Sequence, residues 1–262
     1  MQNIKNNVLN FLNQNWDGTW DSLEKFSALN QGKGWGGSIN DEIDSCLSLL
    51  KDKPKIIVDI GANVGLYTEA LLKKEPNAIY FLFEPSQRNI KILNNKFFSY
   101  DNVYCSSYAL SEETAIKNLY SDVEGSGLAS LSKRRLDHFN ISMDVVETVN
   151  TIRFDEFLSF DDVPEIPEII DYVKMDVEGH ELSVLKGFGS FIDKVKLVQF
   201  EFGGCNIDTR TYFQDFWYFF KEKNFSLYVI TPYEGPQKIN EYKESSEFFT
   251  TTNYIALNNN LK

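Results

Sequence analysis

The feature that most constrains this chain is an alternation of strand and helix patterns that starts at Ile56. The run Ile56-Ile57-Val58-Asp59-Ile60 is short and β-branched, as expected of a strand covered on both faces of a parallel sheet. A glycine-bearing turn follows, and then Val64, Tyr67, Leu71 and Leu72 share one helical face. Ile79-Tyr80-Phe81-Leu82-Phe83 reads as a second strand, Ile90, Leu93 and Phe97 as a second helix, and Val103-Tyr104-Cys105 as a third strand. The alternation resumes at Ile169-Ile170-Asp171-Tyr172-Val173, with a helix through Leu182, Leu185 and Phe188 and a strand from Val195 to Phe202. A helix through Phe213, Phe216, Trp217 and Phe220 and a strand Leu227-Tyr228-Val229-Ile230 come next. Asn253-Tyr254-Ile255-Ala256-Leu257 closes the chain as an edge-like strand. Parallel strands need crossover connections, so this order implies an α/β fold with a mostly parallel sheet and helices on both faces.

Upstream, Ile4, Val8, Phe11 and Leu12 recur at helical spacing, Asp17-Gly18-Thr19 reads as a turn, and Leu23, Phe26 and Leu29 continue a second face. Ser38 and Asn40 can cap a helix whose apolar side carries Ile43, Leu47 and Leu50. Residues 1–50 are therefore read as a helical extension of the same domain, and 51–262 as its main body. An insertion over about 121–150 interrupts that body, with a strand near Ile116 to Tyr120 before it and a mobile stretch around Gly125-Ser126-Gly127. Thr151-Ile152-Arg153-Phe154 is strand-like, Asp155 can cap the short helix after it, and Pro164 and Pro167 break the chain before the next buried strand.

Composition narrows the function classes. Of 262 residues, 42% are hydrophobic and 15% aromatic, which places the chain among globular domains. A formal net charge of −12 repels a phosphate backbone, so a small-molecule or glycan partner is expected and nucleic acid is not. Cys46, Cys105 and Cys205 are dispersed and odd in number, and His138 and His180 are the only histidines, which speaks against a disulfide framework and against a histidine metal cluster. No apolar run reaches the roughly 18–20 residues of a membrane span, and Met1 to Lys5 lacks the apolar core of a secretory signal, so a cytoplasmic location is expected. Neither a G-x-S-x-G elbow nor a G-x-x-x-x-G-K-[ST] loop is present. Oligomeric state is not legible.

Two motifs carry the chemistry. "VDIGANVG" sets Asp59 near the end of the first strand, with Gly61, Asn63 and Gly65 at steps of two. Glycines there let the backbone approach a nucleotide-like ligand, and Glu84 at the end of the second strand can grip two ribose hydroxyls. A nicotinamide fingerprint would need a third glycine where Leu66 stands. A carboxylate at Asp59 also favours the positive amine and sulfonium of S-adenosylmethionine over a pyrophosphate. A nucleotide-dependent oxidoreductase and a non-catalytic binding module remain alternatives at this point.

"KMDVEGHE", Lys174 to Glu181, puts Asp176 at the carboxyl end of a buried strand, where open α/β sheets bind ligands. Asp176 can take a hydroxyl proton, bond a methionine amine or coordinate a cation. Glu178 and His180 are further candidates for the base, His180 from its ordinary titration close to neutral pH. For Glu181 the expected role is a favourable negative charge at a helix start. Glu201 can share the pocket with Asp176 as a substrate ligand, or as a second acid for magnesium or manganese, although no metal is expected. Trp35, among glycines at 34, 36 and 37, is a candidate to cover the cofactor or stack on a sugar face.

In combination, "VDIGANVGLYT" (58–68), "FEPS" (83–86), "YALSEE" (108–113), "KMDVEGHELSVLKG" (174–187) and "LVQFEF" (197–202) resemble the FkbM family of S-adenosylmethionine-dependent methyltransferases over roughly residues 35 to 257. The resemblance implies a Rossmann-like class I methyltransferase sheet of seven strands, and O-methylation of hydroxyls on sugars or natural products. By position it implies that Asp59, Gly61, Asn63 and Gly65 line the methionine side, Glu84 the ribose, and Ser107, Tyr108 and Ala109 the adenine. Asp176 would face the methyl group with Glu178 and His180 beside it. Asp122 to Val149 and Met1 to Asn30 match no motif of the family, which makes them the expected seat of substrate choice.

Overall fold

The structure is a computed structural model that describes residues 20–160 and 169–261. The helical pattern through Ile4, Val8, Phe11 and Leu12, the turn at Asp17-Gly18-Thr19, and Pro164 and Pro167 lie outside the described residues. In chain order the described elements begin with α1 (Trp20–Asn30), α2 (Ile39–Leu49), β1 (Ile56–Ile60), α3 (Leu66–Lys74), β2 (Ile79–Phe83), α4 (Gln87–Lys96) and β3 (Val103–Ser106). A middle group comprises β4 (Ala109–Leu110), β5 (Ala115–Ser121), β6 (Val145–Ile152) and α5 (Phe154–Phe157). Then come β7 (Ile170–Met175), α6 (Glu181–Gly187), β8 (Val195–Phe202), α7 (Cys205–Thr209), α8 (Phe213–Glu222), β9 (Phe225–Thr231), β10 (Gly235–Ile239) and β11 (Thr252–Asn258).

Among the described residues the main sheet has eight strands in the order β10-β9-β11-β8-β7-β1-β2-β3. The four pairs from β8 to β3 are parallel and the three from β10 to β8 antiparallel. Two expectations change. The sheet gains an eighth strand, because β9 turns back at Gly235 (φ +65°) and pairs with Gly235–Ile239, a polar segment without an apolar signature. The last strand is also not an edge: β11 is buried at every position and inserts antiparallel between β8 and β9.

Alternate residues of the strands feed two cores, as a sheet covered on both sides requires. Ile56, Val58, Ile60, Val173, Met175, Val198 and Phe200 share one with residues of α6 and α8. Ile57, Tyr172, Leu197 and Ile255 share the other with Ile43 and Cys46 of α2, Leu71 of α3 and Leu93 of α4. The first helix of this second core begins with a capping box. Ser38 Oγ accepts from the Asp41 amide, and the Asp41 carboxylate accepts from the Ser38 amide.

The insertion is folded rather than loose. β5 and β6 pair antiparallel over seven residues each, with β4 parallel to β6, as a separate three-stranded sheet. Of the strand-like stretch at 151–154 only Thr151 and Ile152 belong to β6, Phe154 opens α5, and Arg153, not Asp155, occupies the position before that helix while its guanidinium grips the Asp155 carboxylate at 2.6 Å.

Candidate active site

Strand register builds the site. Ile60 stands level with Phe83 of β2 and with Met175 of β7, and Met175 with Phe200 of β8. One residue further, Gly61, Glu84 and Asp176 therefore leave the sheet side by side at its carboxyl edge, level with Glu201 near the end of β8. A cleft of about 710 Å³, partly open to solvent, lies above the first three.

The glycine turn fits closely against its neighbours. Gly61 has φ +78°, and a Cβ there would lie 1.9 Å from the Asp176 carbonyl oxygen, so only glycine allows the two loops to meet. Gly61 and Asn63 line the cleft, whereas Gly65, at the start of α3, is backed by Phe97 and Leu93. Glu84 stitches the turn in place: its Oε2 accepts from the Asn63 amide at 2.8 Å and its Oε1 from the Ser86 amide at 2.9 Å. Burial raises the Glu84 pKa, and the two amides counter that. Tyr108 and Ala109 also line the cleft, while Ser107 lies in an adjoining depression shared with Tyr108 and Phe83.

Asp59 is placed behind this surface. It is fully buried, accepts from Thr68 Oγ1 at 2.6 Å and lies 3.8 Å from Lys174 Nζ. Lys174 also lies 3.4 Å from Asp176 Oδ2 and 5.3 Å from the Tyr67 ring centroid. Burial opposes its charge, but Asp176, Asp59 and Glu201 more than offset this and hold its pKa above the ordinary value. Glu201 feels the same ammonium, and its carboxyl is pushed up by burial first and by Asp176 second. The counter-charge between the acids is thus a lysine. Among the described residues no group of three or more His, Cys, Asp or Glu side chains is arranged to hold a metal.

The candidate bases have separated. Asp176 lines the cleft with its side chain 37% exposed. Glu178 also reaches the cleft but is engaged by Arg134 of the insertion, whose guanidinium donates to Glu178 Oε2. Its pKa is raised to about 7, chiefly by burial and then by Asp176. His180 lines the cleft too, and shares a hydrogen bond with Ser132 Oγ at 3.0 Å. Burial pushes its pKa down to about 4, so near pH 7 it is neutral and a poorer base than its residue type suggests. Glu181 does more than favour a helix start: its side chain is wholly buried, and Oε1 accepts from the Val177 and Gly179 amides at 3.1 and 3.3 Å.

Trp35 does not line the cleft; it packs, half-buried, on the core beneath α2 and against Gly37. Ser126, Gly127, Ala129, Ser130 and Leu131 of the insertion do line it. Only the glycines at 125 and 127 hinted at them.

Residues 59–227 match the Methyltransferase FkbM domain. The chain belongs to the FkbM methyltransferase family. Among proteins similar to this FkbM chain is the 2-O-methyltransferase NoeI of Sinorhizobium fredii, 27% identical over 60% of this chain and 66% of that protein. Another is the hexuronic acid methyltransferase AglP of Haloferax volcanii, 28% identical over 56% of this chain and 55% of that one. The chain thus spans less than two thirds of either relative. The crystal structure of an FkbM methyltransferase from Methylobacillus flagellatus is similar at a TM-score of 0.46 and 16% identity, over 79% of this chain and 45% of that chain. No described helix of this FkbM protein is long and apolar enough to cross a membrane.

Proposed function

We propose that this chain is a cytoplasmic S-adenosylmethionine-dependent O-methyltransferase whose acceptor is a hydroxyl of a sugar, glycan or related small molecule, not nucleic acid. The observation that carries the reading is the convergence of Glu84 and Asp176 on one cleft, on strands brought level by register. Two relatives support the acceptor class, one named as a 2-O-methyltransferase and the other as a hexuronic acid methyltransferase.

The residues present suit the donor. Gly61 lines the cleft without a side chain, and Glu84, already held by two amides, is pre-oriented for a ribose diol. When bound, S-adenosylmethionine supplies an electrophilic methyl group on a sulfonium. The remaining task of the chain is to orient an acceptor hydroxyl and take its proton. Asp176 is the group we assign to this, because Arg134 occupies Glu178 and burial disfavours a proton on His180. Lys174, 3.4 Å behind, orients the Asp176 carboxylate. Glu201 stands level with Asp176 on the next strand but is not among the residues lining the cleft, so Asp176 is the acid placed to meet an acceptor hydroxyl.

Calorimetry with S-adenosylhomocysteine, followed by label transfer from S-adenosylmethionine to a panel of glycosides, sugar nucleotides and RNA, tests the proposal. Binding plus transfer to a carbohydrate is the expected outcome. Absence of binding, or transfer to RNA alone, would overturn it.

A further inference from the structure

We infer that residues 122–132 form a strap across the donor cleft, pinned at both ends, and that this strap controls how fast donor and product exchange. The inference rests on the donor proposed above, and deepens it by assigning the insertion to the donor side of the site. The sequence had suggested a seat of acceptor choice instead.

The strap runs between the two halves of the sheet. Near Glu84, Arg88 Nη1 donates to the Glu124 carbonyl at 2.8 Å and Asn89 Nδ2 to the Gly125 carbonyl at 3.2 Å, both from α4. The backbone is seated closely there, since a Cβ on Gly125 would lie 2.5 Å from Asn89 Oδ1. Midway it passes over the glycine turn: a Cβ on Gly127 would lie 3.6 Å from Asn63 Nδ2. Beyond that, Ser130 and Tyr120 exchange backbone hydrogen bonds at 2.8 and 2.9 Å, which ties the strap to β5. At the far end Ser130 Oγ donates to the Glu178 carbonyl at 2.8 Å, and Ser132 Oγ meets His180 Nε2 at 3.0 Å.

Those last two contacts reach the loop that carries Asp176. The strap therefore joins the ribose side of the cleft to the methyl side, and its residues from Ser126 to Leu131 form the outer wall between them. A ligand beneath it leaves by loosening one end. The half-buried His180 imidazole is a hydrogen-bonding pin in this arrangement.

Ser132 and Arg88 are not among the residues lining the cleft, so removing their side chains tests the ends of the strap without touching the ligand. Stopped-flow exchange of S-adenosylhomocysteine is compared for the wild-type chain, Ser132→Ala and Arg88→Ala. One hydrogen bond lost from a closed state is expected to raise the dissociation rate about fivefold. The association rate should rise with it, so that Kd moves less than either rate, with Tm nearly unchanged. Rates equal to wild type in both variants would overturn the inference, and so would a rise in Kd without faster association. Arg88 is exposed, so its variant is informative even if Ser132→Ala does not fold. A wild-type chain that binds no S-adenosylhomocysteine would instead overturn the donor assignment, and the strap with it.

Discussion

The Lys174 ammonium of β7 stands 3.4 Å from the carboxylate of Asp176, the residue that follows the strand. Asp59, level with Lys174 in the register of β1 and β7, completes an acid–lysine–acid row. One end of this row is wholly buried and the other opens into the cleft.

Lys174→Met should be costly, because it leaves Asp59 buried without its counter-ion. Removing one partner of a buried pair costs about 3–5 kcal/mol. At about 2–4 °C per kcal/mol for a chain of this size, Tm should fall by roughly 6–12 °C or more. Differential scanning calorimetry checks this, and a Tm equal to wild type would remove the structural role of the row.

Asp176→Asn keeps the shape of the side chain and removes the carboxylate proposed as the base. Transfer to an acceptor should slow by about a hundredfold or more, the usual range for a positioned base. Affinity for S-adenosylhomocysteine should change far less. An active Asp176→Asn would return the proton-transfer role to Glu178.

Glu84→Ala removes a carboxylate suited to a ribose diol and also unpins the Asn63 and Ser86 amides. Each charge-assisted hydrogen bond is worth about 1.5–3 kcal/mol, so calorimetric affinity for S-adenosylhomocysteine should fall by a hundredfold or so. Undiminished affinity would contradict the ribose assignment.

Glu181 predicts a pH dependence of stability. Burial raises its folded pKa to about 7, above the ordinary value of 4.5. Between those values the folded state holds more protons than the unfolded one. The stabilisation is therefore full below about 4.5 and is lost as pH rises through 7. Glu178 runs the same way, whereas His180, at about 4, runs oppositely below its ordinary value of 6.5. Glu181→Gln keeps an oxygen for the Val177 and Gly179 amides but cannot ionise. Relative to wild type it should gain about 2 kcal/mol between pH 5.5 and 8.5. Urea unfolding at the two pH values measures this, and parallel stability curves would exclude it.

Much of the fold was legible because its signals are local. Ile56–Ile60, Ile79–Phe83 and Val195–Phe202 are dominated by apolar residues, and Ser38 carries a capping pattern within four residues. The partners of β11 were not legible, because a buried strand reads the same wherever it inserts. β10 was missed for the opposite reason, as Gly235 to Ile239 pairs through its backbone and buries little. At the site, the motifs located Gly61, Glu84, Asp176, Glu178 and His180, all of which line one cleft. They could not show that Asp59 faces inward, that Trp35 packs on the core, or that Arg134 reaches Glu178 from 44 residues away.

By itself the sequence determined the strand–helix alternation, the glycine turn and the acids at the strand ends, since period, chirality and φ preference act within a few residues. Only the tertiary structure decided how each acid is engaged. Burial, the Arg134 ion pair and the Lys174 ammonium are properties of long-range packing, and these separate Asp176 from Glu178 and His180.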